Sequence, residues 1–263
     1  MECQRSCYHP SVAAFDVIIP ARDEEPTVAG VVRAARGAAG VGRVIVVDDG
    51  SSDRTAEEAS RAGATVIRAR PVGEPGSKAR ALALGVEASD AAVLVFFDAD
   101  IVDVQQVHFE ALAAPVLAGE AGLSCGIVDY GALRNPFFLR LPPITGLRAL
   151  PREIFDAVPE SKRNGFQIEI MINEVVVRRG SPSAIRVLAG LRHRSKIEKR
   201  GWRQGLPSHL AMTRELLDCL RIVPLWTYGA YLRNLRILPP AAAEALRQAP
   251  IREAESSISR TTP

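Results

Sequence analysis

Two carboxylates, two residues apart at the end of an apolar segment, are the most promising chemical groups in this sequence. Residues 93–97 are apolar and rich in β-formers, which predicts a buried strand with Asp98 and Asp100 at its carboxyl end. In open α/β sheets, ligands bind at that end of the strands. Carboxylates there suit a hard divalent cation held against a diphosphate. A strand-end turn that caps a helix is the alternative explanation.

Acidic residues also follow the first two predicted strands. The first strand leads into Pro-Ala-Arg-Asp-Glu-Glu at 20–25, which lacks the Gly-x-Gly-x-x-Gly of a dinucleotide-binding domain. Its glutamates would repel a triphosphate, which argues against a sugar-phosphate nucleotidyltransferase, but they can accept hydrogen bonds from a ribose or a base. After the second strand, Asp48 and Asp49 could bind a base donor, while Ser52 or Asp53 caps the next helix.

Two cations, Lys78 and Arg80, stand in the first turn of a helix predicted over 77–88. The helix dipole disfavours cations at this end by about 0.3–1 kcal/mol. An anionic ligand bound there would reverse that penalty. The pair therefore predicts an anion site, with an ordinary exposed helix as the alternative.

Composition limits the class of protein. The 263 residues are 47% hydrophobic and 24% charged with a net charge of +3, which predicts a globular chain and disfavours nucleic-acid binding. Four scattered cysteines without a signal peptide predict a reduced, cytoplasmic setting. An uncharged apolar segment at 222–232 is too short to span a bilayer.

Strands and helices alternate over the first part of the chain. We expect strands at 15–19, 43–47, 64–68 and 93–97, and helices at 27–38, 53–62 and 77–88. This alternation predicts an α/β fold with a mostly parallel, Rossmann-like sheet and helices on both faces. Beyond residue 116 we expect strands at 122–130 and 184–188, helices at 151–158 and 167–179, and a basic loop at 190–205.

The domain organisation follows from this pattern. We expect a flexible leader at 1–14, then a catalytic domain at 15–205, divided into a nucleotide-binding half at 15–115 and an acceptor half at 116–205. Amphipathic C-terminal helices are expected at 206–240 and a disordered tail at 241–263. Aromatic and arginine residues in the C-terminal helices favour packing on the core, with peripheral membrane contact as the alternative.

Four motifs occur in a specific order: residues 20–25, Val-Val-Asp-Asp-Gly-Ser-Ser-Asp at 46–53, Lys-Ala-Arg-Ala-Leu at 78–82 and Asp-Ala-Asp at 98–100. Over about residues 15–205 the chain resembles family 2 glycosyltransferases of the GT-A fold. Segments 145–150 and 165–170 resemble the branch with dolichyl-phosphate-mannose synthases and glucosyl-3-phosphoglycerate synthases. No Gln-x-x-Arg-Trp is present, which disfavours a processive polysaccharide synthase.

The resemblance implies a transferase that uses a UDP- or GDP-sugar together with Mg²⁺ or Mn²⁺. Asp48 or Asp49 would bind the base and Glu24 would lie near the ribose. The implied donor-binding residues are Pro20, Ala21, Arg22, Glu24, Asp48, Asp49, Lys78, Asp98, Ala99 and Asp100. The implied metal ligands are Asp98, Asp100 and His193, and the histidine would be kept neutral by its arginine neighbours.

The expected acceptor is a phosphorylated molecule, either a polyprenyl phosphate or a small phosphorylated acid. The predicted acceptor-binding residues are Thr145, Gly146, Arg148, Arg192 and Arg194. The predicted catalytic residues are Asp100, Glu169 and Lys78; for a hydroxyl acceptor, Glu169 or Asp129 would act as the general base. Nucleotidyl transfer and a non-catalytic nucleotide-sugar-binding module are the alternatives, and a homodimer is left open.

Overall fold

Eight strands form one central sheet in the computed structural model, which describes residues 13–72, 74, 76–141, 144–163, 167–194 and 225–241. The order is β10-β8-β6-β7-β4-β1-β2-β3. All neighbours are parallel except β7, which runs antiparallel to β4 and β6. The strands are β1 (Phe15–Ala21), β2 (Val41–Asp48), β3 (Thr65–Arg68), β4 (Val93–Phe96), β6 (Leu123–Val128), β7 (Arg148–Pro151), β8 (Ser183–Leu188) and β10 (Leu235–Ile237).

Helices cover both faces of this sheet. They are α1 (Val28–Gly37), α2 (Thr55–Arg61), α3 (Lys78–Glu87), α4 (Gln106–Leu117), α5 (Asn135–Phe138), α6 (Arg152–Asp156), α7 (Gln167–Arg178) and α8 (Leu225–Arg233), with a 3₁₀ turn at Glu160–Lys162. The apolar sides of α1 and α4 pack on one face, and those of α3, α6 and α7 pack on the other. Because strand side chains alternate, Val17 and Ile19 join the first core and Ile18 the second.

The predicted mostly parallel α/β sheet is confirmed, and the structure adds a strand within it and a separate two-stranded sheet. The short strand β7 inserts between β4 and β6; Ala149 faces one core and Leu150 the other, so it is a central strand and not a loop. Helix α4 follows β5 (Ile101–Val102), which pairs with β9 (Arg192–His193) in a separate two-stranded sheet.

The C-terminal segment is only partly helical where the structure describes it. Helix α8 packs against α7, but the chain then forms β10, an edge strand parallel to β8, which corrects the prediction of helices as far as residue 240. The predicted leader and tail lie almost wholly outside the described residues. Within the described ranges, every helix falls short of the length and apolar character needed to cross a bilayer.

Candidate active site

The carboxyl ends of β1, β2 and β4 meet at one edge of the sheet because these strands are parallel. Ala21 pairs with Asp48 at this edge, and Ala99, between the two predicted acids, is buried. Pro20 lies within β1, and the Arg22 guanidinium donates to the backbone oxygen of Glu74 at 2.8 Å. The predicted donor-binding residues therefore surround a common edge.

The loops after β1 and β2 are interlocked by hydrogen bonds. Each of three consecutive N–H groups in the first loop donates to a side chain of the second: Asp23 to Ser51 (3.0 Å), Glu24 to Thr55 (2.8 Å) and Glu25 to Asp53 (3.1 Å). In return, Ser52 N–H donates to the Asp23 carboxylate at 2.7 Å, and Arg54 Nε to Glu25 at 2.9 Å. The acids of these loops therefore fix each other's backbone, and the hydrogen bonds from Arg54 lower the pKa of Glu25.

Asp49 braces the fold at the end of β2. Its Oδ1 lies 2.6 Å from Arg70 Nε, and its Oδ2 accepts from the Ser77 N–H at 2.6 Å, just before α3 begins. Asp48 is also buried, and its Oδ1 accepts from the Ser51 N–H at 3.1 Å. Both carboxylates thus hold the protein's own backbone or side chains. Ser77 caps α3 by accepting from the Arg80 N–H, so the helix begins one residue later than predicted.

A chain of alternating charges connects α3, β4 and α7. Lys78 Nζ lies 2.7 Å from Asp98 Oδ1 and 2.9 Å from Glu169 Oε1, and Glu169 Oε2 lies 3.8 Å from Arg148. Lys78 is therefore not an ordinary exposed lysine. Burial would lower the pKa of Lys78, but Asp98 and Glu169 raise it on balance. Burial would raise the pKa of Glu169, but Lys78 and Arg148 lower it on balance, so both groups stay charged.

Arg148 is fully buried, contrary to its predicted contact with an acceptor. Its Nε donates to the Thr145 oxygen at 2.8 Å, and its Nη1 donates to the Glu169 oxygen at 3.1 Å and to Asn173 at 3.4 Å. No part of the side chain reaches the surface for a second anion. Arg148 instead ties β7 to the turn before it and to the first turns of α7.

Gly146 allows the turn before β7 to lie against the Asp98 carboxylate. A Cβ at this position would stand 2.2 Å from Asp98 Oδ1, so any other residue would displace that carboxylate. The hydroxyl of the neighbouring Thr145 donates to the Gly126 oxygen at 3.0 Å. Of the two predicted acceptor-binding residues in this turn, Gly146 therefore lies against the edge, and the Thr145 hydroxyl bonds within the fold.

Asp100 and His193 come together through the small β5–β9 sheet. Ile101 pairs with His193, the Arg194 N–H donates to the Asp100 oxygen at 2.9 Å, and His193 Nδ1 lies 3.6 Å from Asp100 Oδ1. Two ligands of one small cation can stand at most about 4.2 Å apart, twice a bond of about 2.1 Å. The pair therefore fits a shared divalent ion, and no set of three or more such side chains is found among the described residues.

The remaining predicted residues are held elsewhere. Arg192 Nε donates to Asp103 at 3.0 Å on the exposed side of β9. Asp129 accepts from Asn135 and from the Gly131 N–H, both at 2.9 Å, which lowers its pKa and makes it a poor general base. Asp98 was predicted as a third metal ligand, but its Oδ1 is paired with Lys78 at 2.7 Å, and Asp98, Asp100 and His193 do not form a three-ligand group in the described part of the chain.

Two residues of the site were not anticipated. Asn173 lies four positions after Glu169, which places both on one side of α7, and this spacing was a usable signal. Tyr231 of α8 is buried, and its pKa is raised by burial and by nearby Cys125, while Arg148 acts in the opposite direction. Nothing in the local sequence indicates that this tyrosine reaches the back of the site.

This architecture, with paired acids at the end of a central strand of an α/β sheet, is that of a GT-A protein. A family model, glycosyl transferase family 2, matches residues 16–168, which is more than half of the chain. The chain belongs to glycosyl transferase family 2.

Known relatives agree with this assignment. The chain is 29% identical over 219 residues to a glucosyl-3-phosphoglycerate synthase of Mycolicibacterium paratuberculosis, covering 69% of this chain and 66% of that relative. Two crystal structures of glucosyl-3-phosphoglycerate synthase from Mycobacterium tuberculosis are 25% identical, each with a TM-score of 0.64 and coverage of 82% of this chain and 80% of that chain. One contains Mn²⁺, UDP and glucosyl-3-phosphoglycerate, and the other contains Mg²⁺ and UDP.

Proposed function

We propose that this chain is a metal-dependent glycosyltransferase that moves a hexose from a UDP-sugar to a small phosphorylated acid. The observation that carries the proposal is the juxtaposition of two charge groups at one sheet edge. Asp100 and His193 form a pair that fits a cation, and the Asp98–Lys78–Glu169 cluster lies beside them. The relatives supply the acceptor class, since their name describes a phosphoglycerate that carries a glucosyl group.

In this proposal, Asp100 and His193 hold Mg²⁺ or Mn²⁺. When bound, the ion would neutralise the charge of the donor diphosphate as it leaves. The pairing of β5 with β9 holds Asp100 and His193 next to each other and so would orient the ion. The interlocked loops after β1 and β2 would form one side of the nucleoside site. Within these loops, the buried carboxylates of Glu24 and Asp48 are the groups proposed to face the nucleoside.

The Lys78 cluster is proposed to bind the sugar. The carboxylates of Asp98 and Glu169 flank the Lys78 ammonium group, and the lone pairs that do not face Lys78 can accept hydrogen bonds from sugar hydroxyl groups. A carboxylate with a lowered pKa is a weak proton acceptor. We therefore assign Glu169 to orientation of Lys78 and the sugar, and not to general base catalysis.

The acceptor is proposed to bind between the Gly146 turn and β9, where Arg194 follows His193. This position lies beside Asp98 on one side and Asp100 on the other. We propose a cytoplasmic location. Peripheral membrane contact and a homodimer remain proposals that vesicle sedimentation and light scattering of the purified protein would test directly.

The decisive experiment is an assay of purified protein with UDP-glucose and 3-phosphoglycerate, with and without Mn²⁺. We expect release of UDP and formation of a glucosylated acid only when the metal, donor and acceptor are all present. A panel with GDP-mannose and with a polyprenyl phosphate separates the other donor and acceptor classes. Activity that survives exhaustive chelation, or pyrophosphate release from a nucleoside triphosphate, would overturn the proposal.

A further inference from the structure

A buried histidine outside the predicted site contacts the loop that carries the metal-pair histidine. His108 lies in the first turn of α4 and is 1% exposed. Its Nδ1 accepts from the Gln105 N–H at 3.1 Å, and its Nε2 lies 3.2 Å from the backbone oxygen of Ala189. One imidazole therefore connects the start of α4 with the chain just after β8.

These two contacts determine the form of the ring. Nδ1 faces an N–H donor, so it must carry the lone pair, and Nε2 faces a carbonyl, so it must carry the proton. A doubly protonated ring would turn an N–H toward the Gln105 N–H. Burial agrees with this conclusion, because it lowers the pKa of His108 to about 4.

The contacted residue begins a tight turn that leads to His193. The Leu191 N–H donates to the Leu188 oxygen at 3.2 Å, and Gly190 has a φ of 82°, which only glycine adopts readily. On its other side, the turn is held by Asp129, whose N–H donates to the Leu191 oxygen at 3.1 Å. Two residues further along, β9 places His193 beside Asp100.

We propose that His108 is a positioning residue: it fixes the position of the turn between β8 and β9, and so keeps His193 within bonding distance of the cation. The inference rests on the proposed function, because it requires that Asp100 and His193 bind a metal ion. His108 touches neither substrate nor metal in this account. It acts through one backbone carbonyl, four residues before His193.

A purely structural role is the competing explanation, since the same ring caps α4. Two substitutions separate the two contacts. Asparagine at this position keeps a short acceptor for the Gln105 N–H but has no donor that reaches Ala189; glutamine keeps the longer reach to Ala189 and loses the cap geometry. His108→Asn therefore tests the turn, and His108→Gln tests the cap.

The experiment is a titration of the full-length protein with Mn²⁺ in the presence of UDP, followed by electron paramagnetic resonance of the free ion. We expect His108→Asn to weaken Mn²⁺ binding roughly tenfold, the lower end of the effect of residues that orient metal ligands. His108→Gln should bind Mn²⁺ like wild type while its unfolding temperature falls. Thermal unfolding of both variants, measured without metal, shows how much each depends on the cap.

The outcomes distinguish failure of the proposed function from failure of the inference about His108. Absence of Mn²⁺ binding by wild type, or binding unaffected by Asp100→Ala, overturns the proposed function and the inference with it. Mn²⁺ binding by wild type that His108→Asn leaves unchanged overturns the inference alone. Equal weakening of Mn²⁺ binding by both variants, in proportion to their loss of stability, assigns His108 to the cap and also overturns the inference.

Discussion

Lys78 is the residue on which the charge balance of the site depends, because two carboxylates approach its ammonium group. Asp98 and Glu169 lie on different elements, and no other cation is placed between them in the described part of the chain. Removal of one partner of a buried ion pair is costly because the other charge stays buried without compensation. The cluster should therefore respond to substitutions as a unit.

We predict that Lys78→Met destabilises the protein by about 3 kcal/mol and abolishes transfer activity. The double variant Lys78→Met/Glu169→Gln should be more stable than Lys78→Met alone, because it removes one of the two carboxylates that lose Lys78 as a partner. Urea unfolding of the two single variants and the double variant provides the measurement. Additive losses of stability would contradict the coupling seen in the structure.

Gly146 gives a second prediction, based on space and not on charge. A Cβ here would overlap the Asp98 carboxylate, so Gly146→Ala should reduce turnover at least tenfold by displacing Asp98 from Lys78. The control is Gly30→Ala in α1, where a Cβ would meet nothing within 4 Å. That change should leave activity intact and raise stability by about 0.5–1 kcal/mol. Equal activity of the two variants would show that the turn can move to accommodate a Cβ at residue 146 without any effect on catalysis.

Arg148 connects three elements at once: the turn at Thr145, strand β7 and helix α7. A planar guanidinium can make these separate contacts, whereas an ammonium group cannot reproduce the fork. We predict that Arg148→Lys lowers kcat about tenfold, while the acceptor KM stays within about twofold of wild type. Steady-state kinetics decides the matter, and a raised acceptor KM with unchanged kcat would restore the direct acceptor contact expected from the sequence.

The link between α4 and the β8–β9 turn predicts a dependence of stability on pH. The pKa of His108 is lowered to about 4, below the value of about 6.5 for an unfolded chain. The unfolded state therefore binds a proton first, and the stability contributed by neutral His108 is lost as the pH falls from about 6.5 to about 4. His108→Asn should show a shallower decline over this range in chemical unfolding. A parallel decline would assign the effect to other groups.

The elements themselves were largely predictable, and their pairings were not. Alternation of apolar runs with amphipathic segments predicted β1 to β4 and α1 to α3 within a few residues. Strand β7 was not predicted because it begins with an arginine and ends with a proline, both unusual in a central strand. Strands β3 and β4 are equally short but mostly apolar, and they were predicted.

The same holds for the site: individual residues could be predicted, but most of their contacts could not. Asp98, Lys78 and Glu169 were predicted as site residues and do come together, as do Asp100 and His193. Their partners depend on contacts between distant segments: Lys78 and Glu169 are 91 residues apart in the chain. Local sequence could not show that Asp49 would meet Arg70, or that Arg148 would be enclosed.

Helix α8 connects the C-terminal part of the described chain with the site, because its buried Tyr231 lies near Arg148 and Cys125. The tyrosine hydroxyl has no hydrogen-bond partner within the described ranges, so it contributes through the ring. We predict that Tyr231→Phe keeps stability within about 1 kcal/mol of wild type, whereas Tyr231→Ala loses about 3–5 kcal/mol. Calorimetric unfolding measures both, and a large loss for Tyr231→Phe would reveal a bond to the hydroxyl.

Because Tyr231 and β10 follow β1 to β8 in the chain, the ribosome releases the Lys78 charge cluster before the tyrosine that packs behind it. Strands β1 to β8 can pair while residue 231 is still inside the exit tunnel, but the Arg148 region then lacks the ring that shields it from water. Water weakens interactions between charges. Nascent chains that stop before residue 231 should therefore contain a sheet but an imperfectly ordered charge cluster, so competence for transfer would arise only after Tyr231 has been released.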